Sequence, residues 1–214
     1  MFEEVLPKKA KRALAVLGES GIMKDAYLAG GTALALRLGH RGSVDLDFFS
    51  NKEFEERTFA ERMRTLSVEF TLEKLDWRTV LGYVGEIKFS LFFYDYPLLA
   101  KPSDYLNIRI ADIKDIAPMK LLAVSDRGLK RDFIDLYFII VVDKIFTLEE
   151  IFELYDLKFK KFQQNKAHIL KSLAYFEAAD LTPMPAMLRE INWEHLKQYF
   201  KKEAESLARK LFNQ

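Results

Sequence analysis

Apolar positions along the first half of the chain recur with two periods. After Pro7, the residues Ala10, Leu14 and Leu17 share one face of a predicted helix that ends at Gly18 or Gly21. Residues 25–29 read as a short buried strand running into Gly30-Gly31, and residues 32–38 as a short helix stopped by Gly39. Residues 44–49 read as a second strand. Ser50, with Glu53 three positions on, has the spacing of a capping box and predicts a helix to about Leu66. Alternation then takes over. Residues 67–75, 78–83 and 86–93 predict strands, and turns near Asp76 and Gly85 make them antiparallel neighbours. Residues 97–105 read as a loop and 107–110 as another short strand.

From Asp112 onward the pattern is helical throughout. One helix is predicted to about Asp126, then a turn at Gly128 and a helix from Arg131 to Val142. Further helices are predicted from near Thr147, near Gln164 and after Pro185. Alternating strands and helices, then a meander, then helices alone, predict the α+β class. The change at residue 112 divides the chain into a mixed region, 1–111, and a helical region, 112–214. No Gly/Ser/Pro linker separates them, so one compact unit is expected rather than two free domains.

Composition narrows the function classes. Of 214 residues, 50% are hydrophobic and 30% charged, and no stretch approaches the roughly 20 apolar residues of a membrane helix. The N-terminus carries Glu3 and Glu4 where a secretory signal carries bases. The absence of cysteine excludes disulfides, thiolate metal sites and a cysteine nucleophile. These features predict a cytoplasmic protein with no membrane partner. A net charge of +1 supplies no global field toward nucleic acid, so any polyanion site must be a local patch. The 18 phenylalanines and 9 tyrosines are read as packing before base stacking. His40, His168 and His195 show no zinc spacing.

The chemistry concentrates between Ala29 and Phe49. Gly30-Gly31-Thr32 opens a helix, and two glycines there let backbone N–H groups approach an anion closely. Arg41-Gly42-Ser43 then turns into Asp45-Leu46-Asp47, whose carboxylates project from one face of a strand. Hard oxygen ligands at that spacing suit Mg²⁺ or Mn²⁺, which typically sits between carboxylates and substrate phosphates. A phosphate cradle beside a metal pair is the minimum equipment for nucleotidyl transfer.

This run of residues resembles the DNA polymerase β-like nucleotidyltransferase superfamily and, within it, the AbiEii/AbiGii-type toxin nucleotidyltransferases. Gly30-Gly31-Thr32-Ala33-Leu34, Gly39-His40-Arg41 and Ser43-Val44-Asp45-Leu46-Asp47-Phe48-Phe49 carry the likeness. It extends to Lys120 within Ile113 to Ala123, and to Asp132-Phe133-Ile134-Asp135-Leu136-Tyr137 after the basic turn of Arg127, Lys130 and Arg131. The resemblance implies a small mixed sheet with flanking helices, residues 1–111 as the nucleotidyltransferase core and 112–214 as a helical region that packs on it and completes the active site.

The resemblance also implies a function. An NMP would pass from an NTP to an acceptor hydroxyl with Mg²⁺ or Mn²⁺ on Asp45 and Asp47. The acceptor would be RNA, with the tRNA 3′ end as the leading expectation, and the protein would be the toxin of a toxin–antitoxin or abortive-infection pair with a cognate antitoxin. Gly30, Gly31, Thr32, Arg41, Ser43, Lys120 and Arg131 are the expected nucleotide contacts, and Asp45, Asp47, Lys120 and Asp135 the expected catalytic set. Asp135 is either a base for the attacking hydroxyl or an orienter of Lys120 or Arg131, and Asp132 either a functional acid or a helix cap. Two further readings stand beside this one: a non-catalytic nucleotide-binding regulatory module, and nucleotidylation of a small molecule or protein.

Many members of the superfamily place a third carboxylate on a following strand. Here Ser90 falls at that position, which leaves Glu86, Asp95 or a two-acid site with Asp135. Lys158, Lys160, Lys161 and Lys166 form the densest basic cluster, which reads first as a solvated helix face, with contact to RNA phosphates as the alternative.

Overall fold

The computed structural model describes residues 1–160 and 166–212. Two compact units emerge, Met1–Asp112 and Ile113–Gln214.

The first unit is α+β. Its helices are α1 (Lys8–Glu19), α2 (Gly30–Leu38) and α3 (Glu56–Met63). Its strands are β1 (Tyr27–Leu28), β2 (Leu46–Ser50), β3 (Phe70–Asp76), β4 (Thr79–Val84), β5 (Ile87–Phe93), β6 (Ser103–Tyr105) and β7 (Ile108–Ile110). They form one seven-stranded mixed sheet in the order β3-β4-β5-β2-β1-β7-β6. The pairs β2–β5 and β1–β7 are parallel and the others antiparallel.

Side chains on β2 divide cleanly between the sheet's two faces. Leu46, Phe48 and Ser50 are buried, whereas Asp47 and Phe49 are half-buried. The Phe48 ring lies 5.7 Å from that of Phe89 on β5, and Phe59 of α3 stacks on Phe89 at 6.3 Å. That face is the hydrophobic core. The opposite face carries the acids.

Three predicted elements differ in detail. Ser50 does not cap a helix: it ends β2, and its hydroxyl accepts from the Lys52 N–H at 3.1 Å. The cap is Glu55, whose carboxylate accepts from the N–H groups of Arg57 and Thr58, so α3 starts later than the spacing of Ser50 and Glu53 implies. Residues 103–105, expected as loop, form β6 against β7. Arg37 of α2 anchors this small hairpin, donating to Ala111 O at 2.5 Å, Ile110 O at 3.1 Å and Ser103 Oγ at 3.0 Å.

The second unit is helical: α4 (Ile113–Asp126), α5 (Lys130–Tyr137), α6 (Leu148–Lys158), α7 (Lys166–Leu173), α8 (Glu177–Asp180) and α9 (Trp193–Phe212). The helix expected from Arg131 to Val142 changes character at Phe138, where a π-helical turn runs to Val142. Thr147 and Glu150 complete a capping box at α6. No helix among the described residues is long and apolar enough to cross a membrane.

The basic cluster expected on these helices is not a solvated face at its first member. Lys158 is fully buried, and its ammonium donates to Asp115 of α4 at 2.7 Å. Burial pushes the Lys158 pKa below its ordinary value, against the opposing pull of Asp115. Lys160 is exposed, Lys166 pairs with Asp156 at 2.6 Å, and Lys161, like Gln164, lies outside the described residues.

The Lys158–Asp115 pair ties α4 to α6, and removing one member strands a charge. Lys158→Met is expected to lower stability by about 3–5 kcal/mol, and Lys158→Met with Asp115→Leu to recover most of that loss. Urea unfolding of both variants checks this. A double variant no more stable than the single one would contradict it.

Candidate active site

Two polar centres stand out, one in each unit. The first begins where β1 ends. Ala29 is extended, and its N–H donates to Asp47 O at 3.0 Å. Gly30 then adopts φ +69° and starts α2. A side chain there would be strained by the left-handed backbone, and a β-carbon would lie 3.4 Å from Asp47 Oδ2. At Gly31 a β-carbon would sit 2.6 Å from an Arg41 guanidinium nitrogen and 3.5 Å from Ser43 Oγ. The glycine pair thus keeps open a place where a carboxylate, a guanidinium and a hydroxyl converge on bare backbone.

That backbone is the N-terminus of α2. Its first N–H groups have no intrahelical acceptor, and Ala29 offers no capping oxygen. The helix end therefore favours an anion. Thr32 secures the geometry. Its hydroxyl donates to Asp45 O, so the 2.8 Å contact with Ser43 Oγ is one in which Ser43 donates. Thr32 and Arg41 are buried, with Arg41 donating to Gly42 O at 3.1 Å, and His40 is fully enclosed. His168 and His195 are exposed.

Asp45 immediately precedes β2 and Asp47 lies within it, both half-buried. Their alternation directs both carboxylates to the face away from the Phe48–Phe89 core. Across the parallel ladder Asp47 pairs with Ser90, a buried hydroxyl. Glu86 is exposed and paired with Lys9 at 2.5 Å, and Asp95 is exposed. Among the described residues no group of three or more His, Cys, Asp or Glu side chains could hold a metal ion. Two hard carboxylates beside a glycine cradle nonetheless fit a Mg²⁺-sized cation, which characteristically takes one or two carboxylates and completes its shell with water and phosphate oxygens.

The second centre lies between α4 and α5. Lys120 is buried, and its ammonium is shared by Asp132 Oδ1 at 3.0 Å and Asp135 Oδ2 at 2.6 Å. Arg127, in the turn before Gly128, grips Asp132 through Nε and Nη2, each at 2.9 Å. Both aspartates are fully buried. The α5 N-cap is Leu129, so Asp132 serves the ion cluster and is not the cap. Arg131 is exposed on the first turn of α5. Burial acts most strongly on Asp132 and opposes its ionisation, yet Lys120 and Arg127 together hold its carboxyl below the ordinary 3.8. Arg127's role as a clamp on Asp132 lies outside the expected site residues. Its only sequence signal is a basic residue five before the acid.

A family model described as "Nucleotidyl transferase AbiEii toxin, Type IV TA system" matches residues 12–79 and 83–213. The chain belongs to this AbiEii family. It is also 38% identical over 209 residues to "Uncharacterized protein aq_aa25" of Aquifex aeolicus (strain VF5), covering 92% of this chain and 95% of that protein. Solved structures of other proteins share the fold. JHP933 from Helicobacter pylori aligns with a TM-score of 0.55 and 20% identity over 96% of this chain and 94% of its own. MenT4, the nucleotidyltransferase toxin Rv2826c from Mycobacterium tuberculosis H37Rv, aligns with a TM-score of 0.56 and 16% identity over 93% and 86%. The mixed sheet with its flanking helices is therefore a nucleotidyltransferase fold, within a family of nucleotidyltransferase toxins.

The ion cluster of the AbiEii-family second unit carries a pH dependence. Asp132 ionises at lower pH when folded than when unfolded. Its stabilisation is therefore complete above the ordinary 3.8 and is lost as pH falls through the folded value. Asp132→Asn is expected to cost about 2–3 kcal/mol near neutrality and to flatten the acid side of the stability profile. Denaturant unfolding from about pH 2.5 to 7 reads both effects. An unchanged acid limb would contradict them.

Proposed function

We propose that the protein is a Mg²⁺-dependent nucleotidyltransferase that moves an NMP from an NTP to an RNA hydroxyl, the tRNA 3′ end first, as the toxin of a toxin–antitoxin pair. The observation that carries the reading is the Gly30–Gly31 turn at the N-terminus of α2, with Asp47's carboxylate beside left-handed Gly30 and Arg41's guanidinium beside Gly31. Family membership supports the reaction class. The RNA acceptor and the antitoxin rest on the resemblance of the motifs.

In this reading the α2 N–H groups donate to the terminal phosphates, with Arg41 as a fixed cation and Ser43 as a hydroxyl contact. Thr32 holds Ser43 in place. Asp45 and Asp47 would hold the Mg²⁺, which when bound would neutralise phosphate charge and supply Lewis acidity. The acceptor oxygen forms a bond to the α-phosphorus while the bond to the β-phosphate oxygen breaks, and pyrophosphate leaves with that electron pair. The hydroxyl proton passes to a general base. The resemblance of the motifs adds Lys120 of the second unit as a nucleotide contact; its ammonium is held between Asp132 and Asp135. Asp135, bonded to Lys120, orients it or accepts the proton, while Arg127 and Asp132 keep Lys120 in position. Arg131 is a further nucleotide contact.

Ser90 opposite Asp47 favours one second reading, a binding module on the same fold that lacks turnover. One experiment separates the two. Purified protein is incubated with Mg²⁺, each α-labelled NTP in turn and total tRNA. Label is expected in RNA with the wild-type protein, and Asp45→Ala or Asp47→Ala is expected to reduce it by at least about 100-fold, the scale of a lost metal contribution. Circular dichroism should be unchanged in both variants. Wild-type rates in either variant would overturn the metal assignment. Tight NTP binding without transfer to any acceptor would support the binding module.

A further inference from the structure

Phe49 follows Asp47 by two residues on β2, so both side chains leave the same face of the sheet. On that face Phe49 gathers rings from its neighbours. Tyr27 of β1 stacks on it with centroids 6.1 Å apart, Phe92 of β5 lies at 5.6 Å, and Tyr94 meets it edge-on at 5.0 Å. Tyr96 extends the cluster, 4.7 Å from Tyr94. Pairing places the cluster one step beyond the acids: Asp47 is opposite Ser90, whereas Phe49 is opposite Phe92 on one side and Tyr27 on the other.

The cluster differs from the core rings behind it. Phe48 and Phe89 are fully enclosed, but Phe49, Phe92, Tyr94 and Tyr96 are only half-buried, with Phe49 on the face that carries Asp47. Along β2 the order is therefore glycine cradle, carboxylates, aromatic surface. The step from Asp47 to Phe49 spans about 6.8 Å of strand.

Charge decides whether the surface suits a mononucleotide or a polynucleotide. A polynucleotide brings a phosphate with every base and needs cations beside its stacking platform. Here Lys52 is paired with Asp25 at 2.6 Å, Arg78 with Glu53 at 2.5 Å, and Arg109, beside Tyr27 by register, donates to Ala26 O at 3.2 Å, while Asp95 adds an exposed negative charge. A mononucleotide holds its charge at the phosphates and offers the aromatic surface a neutral ring.

We propose that Phe49, Phe92 and Tyr94 form the platform on which the base of the incoming NTP stacks. This rests on the reading of the Gly30–Gly31 turn as the phosphate cradle. Every base has a π-face, so the platform accepts all four NTPs with modest discrimination.

The test titrates each NTP, and separately inorganic tripolyphosphate and total tRNA, into the full-length protein with Mg²⁺ by calorimetry. The proteins are wild type, Phe49→Leu and Phe49→Trp. Leucine keeps apolar packing but removes the π-face, and is expected to weaken NTP binding about 5- to 100-fold with tripolyphosphate binding unchanged. Tryptophan is expected to restore it. The unchanged tripolyphosphate affinity reports an intact fold and cradle. Unchanged NTP affinity in Phe49→Leu, or an equal loss for both ligands, would overturn the platform while leaving the cradle standing. Loss of RNA binding alone would assign the rings to the acceptor instead and overturn the NTP assignment. Wild-type protein that binds neither ligand would overturn the cradle and the platform with it.

Discussion

The first unit's chemistry depends on one backbone conformation, Gly30 at φ +69°. It lets the chain leave β1 and enter α2 without a side chain in the space where Asp47's carboxylate lies. A residue with a β-carbon there would bear about 1–2 kcal/mol of left-handed strain and would press on that carboxylate. The same turn aims the first N–H groups of α2 outward, and Gly31 gives room for Arg41. Helix dipole, guanidinium and paired carboxylates are thereby gathered around one turn. Phosphate attraction and cation attraction arise side by side, as a metal-bound polyphosphate requires.

The sheet makes this arrangement rigid. Alternation along β2 commits Leu46, Phe48 and Ser50 to the core, and this leaves Asp47 and Phe49 on the other face. A one-residue slip would bury both acids and expose Phe48, so the core holds the register of the site. The second unit manages charge differently. It encloses Lys120, Asp132, Asp135 and Lys158 in ion pairs whose hydrogen bonds offset desolvation. Such pairs add little net stability, but they fix where each ammonium sits.

Local patterns were legible in the sequence where the responsible interactions are local. The period of Ala10, Leu14 and Leu17, the Gly39 stop, the β3–β4–β5 meander and the Thr147 cap are all set by neighbours within a few positions. Distant interactions account for the misread elements. Ser50 looked like a cap because Glu53 has the right spacing, but pairing with β5 carries β2 through Ser50. Strand β6 was hidden because its docking comes from Arg37, far back in the chain. Lys158 read as a surface cation because Asp115, its partner, lies on a different helix. At the site, Gly30, Gly31, Asp45 and Asp47 fall in one short stretch, so their spacing could be read directly. Their neighbours Ser90, Phe92 and Tyr94 arrive only through strand pairing.

In the proposed function the Gly30 turn and the two aspartates form half of a metal site that an NTP completes. Titration of Mn²⁺ followed by electron paramagnetic resonance, with and without NTP, tests it most directly. The account predicts weak Mn²⁺ binding to the protein alone and at least about tenfold tighter binding when NTP supplies phosphate ligands. It also predicts loss of that gain in Asp45→Asn and Asp47→Asn. A Mn²⁺ affinity that ignores NTP, or a gain that survives both substitutions, would contradict it.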